Sequence, residues 1–139
     1  MTVVSERMST DVAPIPIDAT LVEAARQMRA SGAGGLPVLE PEGGGCAGIV
    51  TERDVVVRAL AEGRDARSAI VRDVATLKPV TCAPDDDIGT AVGLMRQHEI
   101  QRLPVVEEGD IVGVISLADI IFGRPDEERA GFDPERSVE

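Results

Sequence analysis

The chain has 139 residues, which is enough for one domain with its own core and too short for a catalytic domain plus a separate accessory domain. Its formal net charge of -11 repels phosphate backbones and anionic lipid, so we expect no nucleic-acid partner and no membrane partner. Because only Phe122 and Phe132 are aromatic, aliphatic side chains must form the core and clamp any bound planar ring.

The first half of the chain begins with an extended segment and a helix. Pro14 and Pro16 make the apolar segment 12–17 a short edge strand or an extended lead-in rather than a helix. The sequence Thr20-Leu21-Val22-Glu23 is a capping box, which predicts that a helix begins there. Gly32 marks the expected end of that helix.

A hairpin and a second helix are expected to follow. Strands are predicted at 36–39 and 46–51, joined by the glycine-rich loop 41–45. Apolar residues at helical spacing then predict a helix that ends at Gly63: Val55, Val56, Ala59 and Leu60.

The second half repeats this order. The lead-in is 79–82, Asp87 caps the helix, and strands at 103–106 and 111–116 flank the turn 107–110. The halves are joined by residues 64–71, with a helix expected from about Ala66. The charged residues 123–139 show no periodicity, so we expect a flexible acidic tail.

Three sequence matches indicate an internal duplication. Leu36-Pro37-Val38 matches Leu103-Pro104-Val105, and Met28-Arg29 matches Met95-Arg96, both at an offset of 67. Gly48-Ile49-Val50-Thr51-Glu52-Arg53-Asp54 matches Gly113-Val114-Ile115-Ser116-Leu117-Ala118-Asp119 at an offset of 65, since the first hairpin is two residues longer. Each unit reads β-α-β-β-α, and neither could cover both faces of its sheet alone.

The duplicated unit, with Leu-Pro-Val before a hairpin and Gly-h-h-[Thr/Ser]-x-x-Asp (h apolar) at a strand-to-helix junction, resembles a tandem pair of CBS domains, the Bateman module. The resemblance covers roughly Met8 to Phe122. It implies an α+β fold with one repeat at 8–63 and the other at 71–122. The repeats would pack as a pseudo-two-fold pair with two clefts between them, bind an adenosine-containing molecule, frequently dimerise, and regulate another protein.

The repeated motif has a binding interpretation and a structural one. Gly48 and Gly113 would let the backbone approach a ligand closely, because no Cβ stands in the way. The resemblance implies that Asp54 and Asp119 bind ribose, with the hydroxyls of Thr51 and Ser116 beside the sugar or phosphate. Alternatively, each hydroxyl and carboxylate pair forms a capping box and simply satisfies backbone amides.

The two clefts are not expected to be equivalent. The resemblance implies a phosphate contact at Arg102, whose counterpart in the first repeat is Gly35, and Arg53 is the candidate to replace the missing charge. As an alternative to phosphate binding, Arg102 and Arg53 are solvated or ion-paired arginines. His98, the only histidine, is interpreted as a helix-end residue. Residues proposed to hold the adenine are equally good core residues: Ile15, Ile17, Val80 and Cys82.

We therefore expect a cytoplasmic homodimer that senses AMP, ADP or ATP, requires no cofactor and acts on an unidentified protein target. The alternatives are an S-adenosylmethionine sensor and a ligand-free dimerisation scaffold. An enzyme is not expected, because no nucleophile lies beside a base and no metal-ligand spacing is present. No signal peptide or membrane span is predicted, and Cys46 and Cys82 are expected to be free thiols, with a regulatory disulfide as the alternative.

Overall fold

A computed structural model describes residues 1–77 and 80–123. The elements are β1 (Ile15–Pro16), α1 (Leu21–Ser31), β2 (Gly35–Leu39), β3 (Cys46–Thr51), α2 (Glu52–Asp54), α3 (Val71–Val74), α4 (Ile88–His98), β4 (Arg102–Glu107), β5 (Asp110–Ser116) and α5 (Leu117–Phe122). A π-helical segment, Val55–Leu60, continues α2, and short 3-10 turns lie at Val4–Glu6 and Pro41–Gly43. The predicted α+β fold with a duplicated unit is confirmed.

The two long helices begin and end at the residues that the sequence indicates. The Thr20 hydroxyl accepts from the Glu23 amide at 3.1 Å, and the Glu23 carboxylate accepts from the Thr20 amide at 2.9 Å. Gly32 closes α1 with a φ of 71°, a left-handed conformation that glycine adopts without steric cost. Asp87 caps α4 by accepting from the Gly89 amide at 3.1 Å.

Each repeat contributes a small sheet built on a hairpin. In the first repeat β1 pairs in parallel with β2, which pairs antiparallel with β3. In the second, β4 pairs antiparallel with β5, and Cys82 forms a single parallel bridge to Val105 in the place that β1 takes in the first repeat. The lead-in predicted at 79–82 falls partly outside the described residues, because 78–79 are not described.

The segment before each repeat packs on the other repeat. Val4 is completely buried in the core formed by Leu103, Ile115 and the inner face of α4. Likewise, α3 precedes the second repeat, and its residues Val71 and Val74 are buried in the core of the first repeat. The exchange holds the repeats together through buried apolar surface, which is the largest favourable term in folding.

The motif glycines lie against these exchanged segments. A Cβ on Gly48 would collide with the backbone carbonyl of Thr76, and one on Gly113 would lie 2.7 Å from the Ser9 carbonyl oxygen. Ile49 and Thr76 exchange both backbone hydrogen bonds at 3.0 Å, and Val114 and Ser9 exchange theirs at 2.8 and 3.0 Å. In this structure the close approach that glycine permits is therefore to the chain itself.

The linker differs from its prediction. The helix expected from Ala66 is a turn over 66–68, since Asp65 binds the amide and guanidinium of Arg67 and its carbonyl accepts from the Ser68 and Ala69 amides. The next helix is α3. The predicted flexible tail, 123–139, lies outside the described residues except for Gly123.

The second helix of each repeat exposes apolar side chains. Val56 and Leu60 were predicted on a helical face, but their exposed fractions are 53% and 71%, whereas Ala59 is buried. The equivalent helix, α5, exposes Ile121 and Phe122 by 63% and 66%. Within residues 1–77 and 80–123, no helix has the length and apolar composition needed to cross a bilayer.

Candidate ligand-binding clefts

The larger of the two clefts built on the repeated motifs has a volume of about 790 Å³. A further cavity, of about 570 Å³, lies between α1 and the Arg102 side chain. The larger cleft lies between the Gly48 to Asp54 motif and the start of β4, where the exchanged segment around Thr76 also contributes. Its lining residues are Gly48, Ile49, Thr51, Glu52, Arg53, Asp54, Arg58, Thr76, Val80, His98, Glu99, Ile100, Gln101, Arg102 and Pro104. Its volume lies within the usual range for small-molecule sites, roughly 300 to 1,000 Å³.

The smaller cleft has a volume of about 230 Å³ and is related to the first by the internal repeat. The motif here is Ser116 with Asp119, and the opposite wall is the segment before β2. Its lining residues are Ser9, Asp11, Val12, Ser31, Gly32, Ala33, Gly34, Gly35, Arg102, Val114, Ser116, Ala118 and Asp119. Each motif therefore faces the other repeat's pre-hairpin segment, and the predicted inequality of the clefts extends to their size.

Asp54, which lines the larger cleft, uses one carboxylate oxygen to cap its helix. Its Oδ2 accepts from the Thr51 amide at 2.8 Å and from the Thr51 hydroxyl at 3.1 Å. In the described part of the chain, Oδ1 has only an ion pair with Nε of Arg58, at 3.9 Å, which is too long for a hydrogen bond. Capping and ligand binding are thus compatible at this residue, because they use different oxygens.

Asp119 forms the same capping interaction, but its side chain is buried. Oδ2 accepts from the Ser116 amide at 3.0 Å, and the side chain belongs to a residue that is only 8% exposed. Burial raises the pKa of Asp119, against the opposing effects of hydrogen bonds from Ser116 and the charge of Arg102. The structural interpretation of both motifs as capping boxes is confirmed by these contacts.

Arg102 borders both clefts. Its side chain lies flat on the backbone of Gly34 and Gly35, where a Cβ on Gly34 would meet Nη2 and one on Gly35 would lie 2.9 Å from Cδ. Among residues 1–77 and 80–123, Arg102 forms no hydrogen bond through its side chain and no ion pair within 4.0 Å. Its charge nevertheless acts on Asp119 and opposes the rise in the pKa of that carboxyl.

The larger cleft is locally neutral in a strongly acidic molecule. Three arginines, Arg53, Arg58 and Arg102, balance the three acidic side chains in its lining. In the smaller cleft Arg102 alone faces Asp11 and Asp119. An anionic ligand is therefore repelled less in the larger cleft.

The predicted site residues fall into two groups. The larger cleft brings together Gly48, Thr51, Arg53, Asp54, Val80 and Arg102, and the smaller one brings together Ser116, Asp119 and Arg102. Gly113 packs against Met8 and Ser9 and lines neither cleft. Ile15, Ile17 and Cys82 are at most 5% exposed and are core residues, so their predicted contact with an adenine is not found among the cleft-lining residues.

The sequence interpretation missed several cleft residues, among them Arg58 and Thr76. Arg58 follows Asp54 by one helical turn, and its Nη1 donates to the Val74 carbonyl at 3.1 Å; the spacing of four residues was the available signal. Thr76 corresponds to Ser9 at the offset of 67, but its place in the cleft depends on the exchange of segments between repeats. His98 is the last residue of α4, as interpreted, and also lines the cleft.

The cysteines do not contribute to either cleft. Both are free thiols in the structure. Burial raises the pKa of Cys82 to about 12, with a smaller contribution from Asp86, and burial also raises the pKa of Cys46. A buried neutral thiol reacts poorly as a nucleophile, so Cys82 behaves as a small core group, whereas Cys46 is only half-buried on β3.

Comparison with known proteins identifies the repeats independently. A family model described as CBS domain matches residues 4–60 and 71–125. The CBS domain-containing protein YhcV of Bacillus subtilis is 35% identical over 131 residues, which cover 94% of this chain and 91% of YhcV.

Two solved structures show the same fold. The crystal structure of Hypoxic Response Protein I with two coordinated zinc ions has a TM-score of 0.77 and 29% identity, covering 89% of this chain and 100% of that one. The CBS domain pair of MJ0100 in complex with 5'-methylthioadenosine and S-adenosyl-L-methionine has a TM-score of 0.76 and 24% identity, covering 87% and 94%. In the part of this chain that the structure describes, no three His, Cys, Asp or Glu side chains are grouped to hold a metal ion.

Proposed function

The chain belongs to the CBS domain family as a tandem pair, and we propose that it is a regulatory module that binds an adenosine nucleotide (AMP, ADP or ATP) in its larger cleft. It acts through dimer geometry or on a partner protein, and it is not an enzyme. A cytoplasmic location is part of the same proposal.

One observation carries the proposal: the Asp54 carboxylate lines the same cleft as the Arg102 guanidinium, which has no hydrogen-bond partner among residues 1–77 and 80–123. Oδ1 of Asp54 is available to accept hydrogen bonds from the two ribose hydroxyls. Arg102 can form paired hydrogen bonds to phosphate oxygens, which a lysine could not match in geometry. Val80, Ile49 and Ile100 supply aliphatic surface for the base.

The fold itself is compatible with such a ligand. The MJ0100 pair, which shares this fold, was solved with two adenosine-containing molecules. At 24% identity that likeness extends to the fold and carries no residue role to this chain. The choice of a phosphorylated ligand rests on the three arginines of the larger cleft.

A thermal-shift panel tests the proposal. We expect AMP, ADP or ATP to raise the melting temperature, since a ligand at 100 times its Kd adds about 2.7 kcal/mol to the free energy of unfolding. S-adenosylmethionine and adenosine serve as comparisons, because both carry the ribose and neither carries a phosphate. A shift with S-adenosylmethionine alone would favour that alternative, and no shift with any compound, confirmed by calorimetry, would refute the proposal.

A ligand-free scaffold is the second candidate, and the two capping boxes favour it. In that case Asp54→Asn would lower stability modestly through the weakened cap and would have no binding to abolish. In a ribose-binding role the same substitution weakens nucleotide binding in the larger cleft, because an amide in place of the carboxylate binds the hydroxyls less well. Melting of the variant with and without ADP separates the two.

We also propose that the chain forms a homodimer through the apolar faces of α5 and of the Val55–Leu60 segment. Val56 and Val57 correspond to Ile121 and Phe122 at the offset of 65, and all four are exposed by 43% or more. A second copy would cover both faces at once, because the internal repeat places them on equivalent helices.

A further inference from the structure

Arg102 lines both clefts, although the internal repeat would be expected to give each cleft a side chain of its own at this position. Arg102 and Gly35 hold the same position before their hairpins, so each cleft would have its own side chain there if the repeats were alike. Instead, Arg102 lines both clefts, and Gly35 offers no side chain to either.

The glycines account for this arrangement. The space that side chains at Gly34 and Gly35 would fill is occupied by the Arg102 side chain, from Cδ to Nη2. That path takes the guanidinium from its own strand, β4, across the first repeat to the wall of the smaller cleft. It is then the only basic group in that cleft among the described residues.

We propose that Arg102 couples the clefts negatively: an anionic nucleotide bound in the larger cleft engages the guanidinium and so lowers the affinity of the smaller cleft for a second one. The inference rests on the proposed nucleotide function. The pair of N–H groups that a guanidinium commits to one phosphate is not available to a second phosphate. By thermodynamic linkage the effect is reciprocal, so a nucleotide in the smaller cleft weakens binding in the larger one by the same factor.

Isothermal titration calorimetry with ADP measures the coupling. In Asp54→Asn, where the larger cleft is impaired, we expect the smaller cleft to bind ADP about tenfold more tightly than the second binding step of the wild type, because Arg102 is then free for it. The double variant Asp54→Asn/Arg102→Ala should lose this gain. Asp54→Asn/Arg53→Ala is the matched control and should keep it, since Arg53 lines only the larger cleft.

The outcomes separate the inference from the function on which it rests. If the smaller cleft binds ADP equally well whether or not the larger cleft works, or if Arg53→Ala removes the gain as Arg102→Ala does, the coupling is overturned while nucleotide binding stands. If the wild type binds a single ADP, Asp54→Asn must reveal binding in the smaller cleft, and its failure to do so also overturns the coupling. No heat from any variant or from the wild type would refute both.

Discussion

Asp54 and Asp119 show how one motif position acquires two environments. Both carboxylates cap a helix through Oδ2, but Asp54 lines a cleft of about 790 Å³ and Asp119 one of about 230 Å³. The sequence predicted the caps and the identity of both acids. It did not predict the difference in burial, because that depends on what the other repeat places opposite each motif.

Asp119→Asn should change the pH dependence of stability. Burial raises the Asp119 pKa above its ordinary value of 3.8, so the folded protein holds this proton more tightly than the unfolded chain does. The resulting stabilisation is present below pH 3.8 and is lost as the pH rises through the folded-state pKa. We expect the variant to gain stability relative to wild type between about pH 4 and about pH 7. Urea unfolding of both proteins at the two pH values measures the free energy of unfolding. A difference between variant and wild type that does not change with pH would contradict the prediction.

Gly48→Ala should destabilise the protein, because its Cβ would collide with the Thr76 backbone. Forcing an extra methyl group into a packed site costs about 1 to 3 kcal/mol, and here the neighbour is backbone, which favours the upper end. Gly93→Ala is the matched control: Gly93 is exposed within α4 with nothing close by, so alanine should add about 1 kcal/mol through its helix propensity. Chemical denaturation gives both values, and a loss of equal size at the two positions would argue against the steric account.

At the scale of elements, local signals sufficed for the helices and hairpins. The Thr20 capping box, the Gly32 stop and the Asp87 cap act within a few residues, so they can be read from sequence. The prediction of a helix in the linker was wrong because Asp65 can begin either a helix or a turn. The hydrogen bonds that its carboxylate accepts from Arg67 favour the turn. The clefts were only partly predictable, since Thr76 reaches its site through contacts between distant segments.

The apolar faces of α5 and of the Val55–Leu60 segment predict a dimer that a single charge disrupts. Ile121→Glu should give a monomer, because a carboxylate buried between two copies lacks a partner. The fold should survive, since Ile121 is 63% exposed within the chain. Leu77→Glu, at an exposed apolar residue outside these faces, should leave the mass unchanged. Analytical ultracentrifugation decides, and a wild type that is already monomeric at micromolar concentration would contradict the dimer.

At the scale of the molecule, the exchange of segments makes the two repeats one folding unit. Val4→Ala removes two fully buried methyl groups from the second core and should cost about 2 kcal/mol. Because Val71 and Val74 tie the repeats in the opposite direction, we expect both to unfold together in one transition. Hydrogen exchange of β2 and β4 amides in urea should therefore report the same midpoint in the wild type and the same decrease in Val4→Ala. A decrease confined to β4 would show that the repeats unfold separately.

The larger cleft is proposed to hold an adenosine nucleotide between Asp54 and Arg102. A crystal structure grown with saturating ADP tests this most directly. We predict ribose hydroxyls within hydrogen-bonding distance of the Asp54 carboxylate and phosphate oxygens beside the Arg102 guanidinium. Nucleotide bound elsewhere on the molecule, or a larger cleft that stays empty at saturating ADP, would contradict the claim.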